Sequence, residues 1–350
     1  MYSLNFSHVW HSEILQSIED DTLKLRIATF NLENLDFEKP GKKPTLQDRI
    51  EIMRPQLKRI NADILCLQEV NGKKTDGIFC LPALDALIEG TQYSGFNRVF
   101  TIDKKSTERN LVILSRYEIL EHHQYKNKYL PPLLYKTVTA IMDEGEEQST
   151  VEERYWDRPI LHARIRIGDK VLDVINLHLK SKIPTDIPGQ KVDDYTWVTS
   201  SGWAEGFFLS SMKRVGQALE TRMLIDKLFK ESEDPWIVVC GDFNSDLDDV
   251  PVEAIRGRIE NTGNGELARY VMQPCEMSIP ETARFSLYHQ GKRNMLDHLL
   301  VCRNMLAHYK GSEVHNELIH DESIAFATDD KFPESDHAPV IAEFEIPDCA

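Results

Sequence analysis

Apolar residues in this chain come in short runs that break off on a polar residue, and the runs have the length and β-branched content of buried strands. They fall at 25–30, 62–69, 111–114, 160–165, 170–178, 236–242 and 294–301, with a last one ending at 344. Helical spacing is rarer. Val215, Leu219, Met223, Leu224 and Leu228 predict a helix over 210–231 whose apolar face covers a sheet, and a second helix is expected near 46–60 with Pro55 as a kink. The stretch 183–207 reads as a long loop, and Trp197, Trp203, Phe207 and Phe208 make it either a lid or substrate platform or a packed aromatic loop. Residues 1–24 read as an N-terminal extension with one short helix, 143–147 as a solvated acidic hairpin tip, and 250–290 carry few signals.

Composition adds a core and removes some classes. Hydrophobic residues at 41% and charged residues at 28% suffice for a large core, and no apolar run is long enough to span a bilayer, so no membrane association is expected. The first residues lack the basic start, apolar centre and cleavage site of a secretory signal. Six scattered cysteines read as reduced thiols without zinc-site spacing, and with the missing signal they point to the cytoplasm. Lysine and arginine number 41 against 57 acidic residues, and the net charge of −16 repels a polyanion globally. Binding of a phosphate backbone is then left to local basic groups: Lys73-Lys74, Lys104-Lys105, Lys180 with Lys182, Lys213-Arg214 and Lys292-Arg293.

The chemistry sits where the runs end. Asn31, Glu69, His178, Asp242 with Asn244, Asp297, and Asp336 with His337 all stand at the ends of apolar strands. A carboxylate there is costly unless it is paired or binds a cation. Gly241 lets the backbone turn, and alternation puts Asp242 and Asn244 on one face with Phe243 opposite. A calcium loop competes for the same residues, because Asp242, Asn244, Asp246, Asp248 and Glu253 fit its spacing. Leu247 stands where that loop turns on glycine, and a strand precedes it instead of a helix. Packed sheets bring strand ends to one rim, and candidates running from 31 to 337 argue for one domain over 25–350. Hard oxygen ligands without thiolates favour Mg²⁺ or Mn²⁺ and a phosphate ester substrate. The imidazoles would supply protons or hydrogen bonds, each oriented and kept protonated by a carboxylate.

In chain order, Thr29-Phe30-Asn31, Leu67-Gln68-Glu69, Asn176-Leu177-His178, Gly241-Asp242-Phe243-Asn244, Leu296-Asp297-His298 and Ser335-Asp336-His337 resemble the signatures of the endonuclease/exonuclease/phosphatase superfamily. That resemblance implies the DNase I-like fold, a four-layer α/β sandwich of two packed mixed, mainly antiparallel sheets flanked by helices. It implies Glu69 as principal metal ligand with Asn31 and Asp336, and Asp242 as the group that orients or deprotonates the attacking water. By the same resemblance Asn31 and Asn244 would hold phosphate, His337 paired with Asp297 would stabilise the phosphorane, and His178 would be a second phosphate-facing imidazole. Glu108 is similar to a carboxylate that braces the first histidine in deoxyribonucleases. Arg158 before Pro159 is similar to their phosphate-gripping arginine, and Lys180 is expected to line the phosphate path.

These features favour a Mg²⁺-dependent nuclease that cuts DNA, or RNA, by in-line attack of water. An inositol-phosphate phosphatase or phospholipase-like enzyme is the alternative, disfavoured because Asn294 to Leu300 lacks the Trp-Cys-Asp-Arg pattern and no secretion signal supports a sphingomyelinase. A silent binding relative is disfavoured because Glu69, Asp242 and His337 are all present.

Overall fold

A computed structural model describes residues 22–37, 43–103, 106–142, 150–260, 262–324, 328 and 331–347. The first strands are β1 (Thr22–Leu35), β2 (Ile64–Val70), β3 (Lys73–Thr75), β4 (Ile78–Cys80), β5 (Asn97–Phe100), β6 (Asn110–Ser115), β7 (Ile119–Tyr125), β8 (Leu133–Tyr135) and β9 (Glu152–Arg154). They are followed by β10 (Ile160–Ile167), β11 (Lys170–His178), β12 (Trp236–Asp242), β13 (Gln273–Pro274), β14 (Leu287–His289), β15 (Lys292–Asn294), β16 (Asp297–Val301), β17 (Tyr309–Val314) and β18 (Val340–Pro347). The main helices are α1 (Leu46–Ile60), α2 (Pro82–Ile88), α3 (Ser200–Glu231) and α4 (Val250–Arg256).

Two six-stranded sheets take the orders β17-β18-β1-β2-β6-β5 and β13-β16-β12-β11-β10-β7. Each holds one parallel pair, β1 with β2 and β11 with β12, among antiparallel neighbours. Short ribbons β3-β4, β8-β9 and β14-β15 stand apart from them.

Alternation along the strands builds the layers. On β1, Leu25 and Ile27 face inward onto Val174, Val238 and Cys240 of the other sheet, whereas Ala28, Phe30 and Leu32 face outward onto Ile50, Met53 and Leu57 of α1. Ala218, Leu224 and Ile225 of α3, with Val252 and Ile255 of α4, cover the outside of the second sheet. The result is helix, sheet, sheet, helix, as the resemblance implied. Even its dry centre carries a polar tie: Gln68 Nε2 donates to Asn176 Oδ1 at 2.7 Å, and Asn176 Nδ2 donates to the Leu67 and Val112 carbonyls at 3.0 Å each. These bonds fix how the two sheets register against each other.

The α3 helix departs from the sequence expectation, beginning at Ser200 and taking Trp203, Phe207 and Phe208 out of the expected loop. Thr199 caps it by accepting from Gly202 N at 3.0 Å. Glycines at 202 and 206 each weaken helix propensity by about 1 kcal/mol, which hides this start in the sequence. Close packing requires Gly206, since a Cβ there would lie 2.3 Å from the Thr185 carbonyl oxygen. Two buried carboxylates on the same helix anchor the 127–156 segment. Glu205 accepts from Val138 N, Thr139 N and Tyr135 Oη, and Glu220 from Asn127 N, Tyr129 N and Trp156 Nε1.

Other expectations shift by smaller amounts. Strand β1 starts at Thr22, inside the expected extension, while the helix expected in 1–24, the hairpin tip at 143–147 and the Lys104-Lys105 pair lie outside the described residues. The five described cysteines, Cys66, Cys80, Cys240, Cys275 and Cys302, are unpaired. Among the described residues no helix is long and apolar enough to cross a membrane.

Candidate active site

Register places the polar strand ends side by side. In the second sheet His178 pairs with Asp242 and Asp242 with Asp297, so all three side chains stand in one row on the inner face. Asn31 lies opposite, on the inner face of β1 in the other sheet, and its Nδ2 donates to Asp242 Oδ2 at 3.0 Å. The rim of the sandwich is thus closed across its two sheets.

Asp242 is the hub. Its Oδ2 meets His178 Nε2 at 3.1 Å and Asn244 Nδ2 at 3.1 Å, and its Oδ1 accepts from Asn244 N at 2.8 Å. Burial alone would raise this carboxyl, but the His178 and His337 imidazoles and the Asn244 amide hold it well below the usual carboxylate range. His178 itself is pulled down by burial and by the Arg158 guanidinium, and it faces Asp242 through Nε2. The turn that presents these groups needs Gly241, whose φ is 140° and whose Cβ would sit 1.9 Å from the Leu177 carbonyl oxygen. Gly241→Ala is therefore expected to cost roughly 3 kcal/mol of stability, read as the shift in a urea unfolding midpoint. A midpoint within error of wild type would refute the packing argument.

Across from this hub, His337 Nδ1 bonds Asp297 Oδ2 at 2.7 Å, and its Nε2 points toward Asp242 Oδ2 and Asp336 Oδ1, each 3.9 Å away. Ser335 Oγ, which donates to the Asn31 carbonyl at 2.8 Å, accepts from His337 N at 3.1 Å and so ties this segment to β1. Burial opposes protonation of His337, yet Asp297 and Asp242 raise it well above the ordinary imidazole value. Asp242, Asp297 and His337 offer ligand atoms within 4.8 Å of one another. Distance alone would suit a metal, but His337 Nδ1 and Asp297 Oδ2 are already engaged with each other at 2.7 Å as a hydrogen-bond pair.

A second group of carboxylates gathers around Asp336, which His337 Nε2 faces at 3.9 Å. Glu69 sits at a register shift between β1 and β2 with φ 59°, a left-handed turn that swings its carboxylate to the rim. Its Oε2 accepts from Asn34 N at 2.9 Å and its Oε1 lies 3.7 Å from His178 Nε2. Burial, with Glu322 and Glu69 alongside, pushes Asp336 up to about 7, and burial together with Asp336 pushes Glu33 up to about 7. Asp336 Oδ1 is buried with no hydrogen-bond partner. A crowd of hard oxygens with one orphaned atom fits a divalent cation. Asn31 is placed differently from expectation, because its amide is spent on Asp242 and on Glu33 N, 3.0 Å from Oδ1.

Arg158 is half-buried beside Glu69 and Asp242, and its Nη1 lies 3.5 Å from the Leu179 carbonyl. With Arg109, Lys180 and Ser181 it lines a cavity of about 380 Å³ at the rim. Glu108 is a correction. Among the described residues no ion pair or hydrogen bond joins it to His178. The left-handed turn at Arg109, φ 55°, carries it to the exposed wall of that cavity. The calcium loop is excluded as well, since Glu253 pairs with Arg256 and Arg258 and Asp246 Oδ1 accepts from Met295 N at 3.0 Å. Glu33 and Glu322 were not foreseen. Glu33 lies two positions after Asn31, where its side chain had a readable signal, whereas nothing in the sequence around Glu322 marks it.

Solved structures share this architecture. An endonuclease/exonuclease/phosphatase family protein from Bacteroides thetaiotaomicron aligns over 93% of this chain and 96% of its own, with a TM-score of 0.55 and 15% identity. A 3' phosphatase, NExo, from Neisseria, bound to a product DNA hairpin, aligns over 91% and 99% with a TM-score of 0.53 and 20% identity. A humanized D. rerio TDP2 aligns over 92% and 98% with a TM-score of 0.53 and 15% identity. At such identities the likeness is one of fold. No curated protein matches the chain significantly. The sequence profile of the Endonuclease/Exonuclease/phosphatase family matches residues 28–337, which contain the whole span from Asn31 to His337. With its six strand-end motifs gathered at one rim of a four-layer sandwich, the chain belongs to the endonuclease/exonuclease/phosphatase family and is a phosphoesterase of that superfamily.

Proposed function

We propose that the protein is a divalent-metal-dependent nuclease that hydrolyses phosphodiester bonds, with DNA as the preferred substrate. The observation that carries this reading is the buried Asp242 Oδ2 set 3.1 Å from His178 Nε2 and 3.9 Å from His337 Nε2, next to an Asp336 Oδ1 buried without a hydrogen-bond partner. Glu69 and Asp336 would hold Mg²⁺ or Mn²⁺, which when bound neutralises a phosphate oxygen and the leaving alkoxide. Asp242, too weak a base to keep a proton, orients the attacking water and sustains the charge on His337. His337, braced by Asp297, donates to a phosphoryl oxygen as negative charge grows there. Asn244 and His178 fix Asp242 and face the same phosphate, and Arg158 and Lys180 grip the neighbouring one. The likeness to NExo, described as bound to product DNA, supports nucleic acid over a small ester.

The test is purified protein with Mg²⁺ against linear and circular DNA, RNA, bis-p-nitrophenyl phosphate and inositol phosphates. DNA cleavage abolished by EDTA and restored by Mg²⁺ or Mn²⁺ is expected. Metal-independent turnover, or turnover of inositol phosphates alone, would reject the reading.

Lys180 gives a pH signature. Burial pulls it down to about 8, so its charge is present below that pH and is lost as pH rises through it. KM for an oligonucleotide is expected to rise between pH 7 and 9 in wild type and to stay level in Lys180→Arg. Lys180→Ala should also lower the slope of log KM against log salt by about 1. An unchanged salt slope would take Lys180 off the phosphate path.

A further inference from the structure

The first turns of α3, Ser200 to Ser211, carry one charged residue, Glu205, and it is buried against the 135–139 backbone. The rest of that face is bare. In a chain that is 28% charged, an exposed helical stretch without surface charge is unusual. Trp203 and Phe207 stack there, with ring centroids 5.6 Å apart and planes 16° apart, and remain 46% and 39% exposed. Phe208, packed against Tyr135, is 48% exposed beside them. Exposed aromatic faces gathered in one patch mark a binding surface.

The patch is continuous with the candidate active site. The chain leaving His178 runs along α3. Arg214 Nη1 donates to the Lys180 and Ser181 carbonyls at 3.0 Å each, Ser210 Oγ donates to the Ile183 carbonyl at 2.7 Å, and Thr185 N donates to the Gly206 carbonyl at 3.0 Å. At about 1.5 Å of rise per residue, Phe207 lies about 10 Å along the helix from Arg214, a distance of two or three nucleotide steps. Cationic groups gather at the Arg214 end, Arg158, Lys180, Lys213 and the buried Arg214, with Asp157 paired to Lys213 at 2.6 Å as the acidic member. Among the described residues the hydrogen-bond partners of Lys180 Nζ are the Ser181 hydroxyl and the Ile183 carbonyl, each at 3.1 Å.

We propose that Trp203 and Phe207 form a stacking platform for unpaired nucleobases in a single-stranded flank of the substrate, a few nucleotides from the reacting phosphate. The inference rests on the nuclease reading and adds its substrate class. Aromatic faces accept any base, and a cationic strip beside them follows the backbone. A membrane surface is a poorer fit, because interfacial helices line their polar face with Lys and Arg and this segment has none.

The experiment compares a twelve-nucleotide dA strand with an abasic strand of equal length, bound to the full chain in EDTA and read by fluorescence anisotropy. Wild type is expected to prefer the base-bearing strand by about tenfold, the Trp203→Ala/Phe207→Ala variant to lose that preference, and Trp203→Phe to keep it. Equal affinity for the two strands in wild type, or a preference that survives the double substitution, would overturn the platform. So would vesicle binding or self-association lost in the variant without any strand preference. Cleavage of the dA strand in Mg²⁺ is a separate arm. Cleavage with equal affinities sinks the platform alone, and no cleavage of any nucleic acid sinks the nuclease reading and the platform with it.

Discussion

Asp242→Asn is expected to lower kcat on a phosphodiester by about three orders of magnitude while KM moves less than about threefold. The size follows from what the carboxylate does twice over. Its Oδ2 meets His178, Asn31 and Asn244 together, and with Asp297 and Asp336 it is one of three carboxylates that keep His337 charged. An amide of the same shape must turn an NH₂ or a neutral oxygen toward those donors, so the water loses its orientation and the imidazolium loses a counter-charge. Some stability goes too, since buried donors left without an acceptor cost about 1–3 kcal/mol each. Circular dichroism and a melting curve separate that loss from the catalytic one. Equal losses in kcat and in substrate affinity would mean that Asp242 only holds the rim together.

Much of this rim was legible because an apolar run that stops on a carboxylate is itself a physical anomaly. Glu69 and Asp242 announced themselves that way, Asp297 and His337 as polar residues leading into an apolar strand, and the structure brings all four to one rim. What could not be read was register. That His178, Asp242 and Asp297 form a single row depends on strands far apart in sequence choosing one alignment of several. Glu108 misled for a related reason: its neighbourhood resembles a bracing carboxylate, but the left-handed turn at Arg109 is a backbone event with no residue signature. The start of α3 was hidden by Gly202 and Gly206, where packing against the 185–197 segment overrides local propensity. Glu33, two positions after Asn31, was open to the same reading, whereas nothing in the sequence marked Glu322 until folding set it near Asp336.

His337→Ala should lower kcat by about 10²–10⁴-fold, and the pH profile should say why. The imidazole is raised well above its ordinary value by Asp297 and Asp242 against the opposing effect of burial, so the protonated ring persists through neutral pH and is lost only as pH climbs through that raised value. The alkaline limb of kcat should therefore report His337. Asp297→Asn removes the carboxylate 2.7 Å from Nδ1 and leaves only Asp242 and Asp336, each 3.9 Å from Nε2, as counter-charges, which lets the proton go at lower pH. The alkaline limb is then expected to move acidward, with a smaller fall in kcat at its optimum than in His337→Ala. A limb that stays in place in Asp297→Asn, or one that survives in His337→Ala, would assign the titrating group elsewhere. It would also leave the buried Asp297–His337 pair as a strut between β16 and the segment that leads into β18.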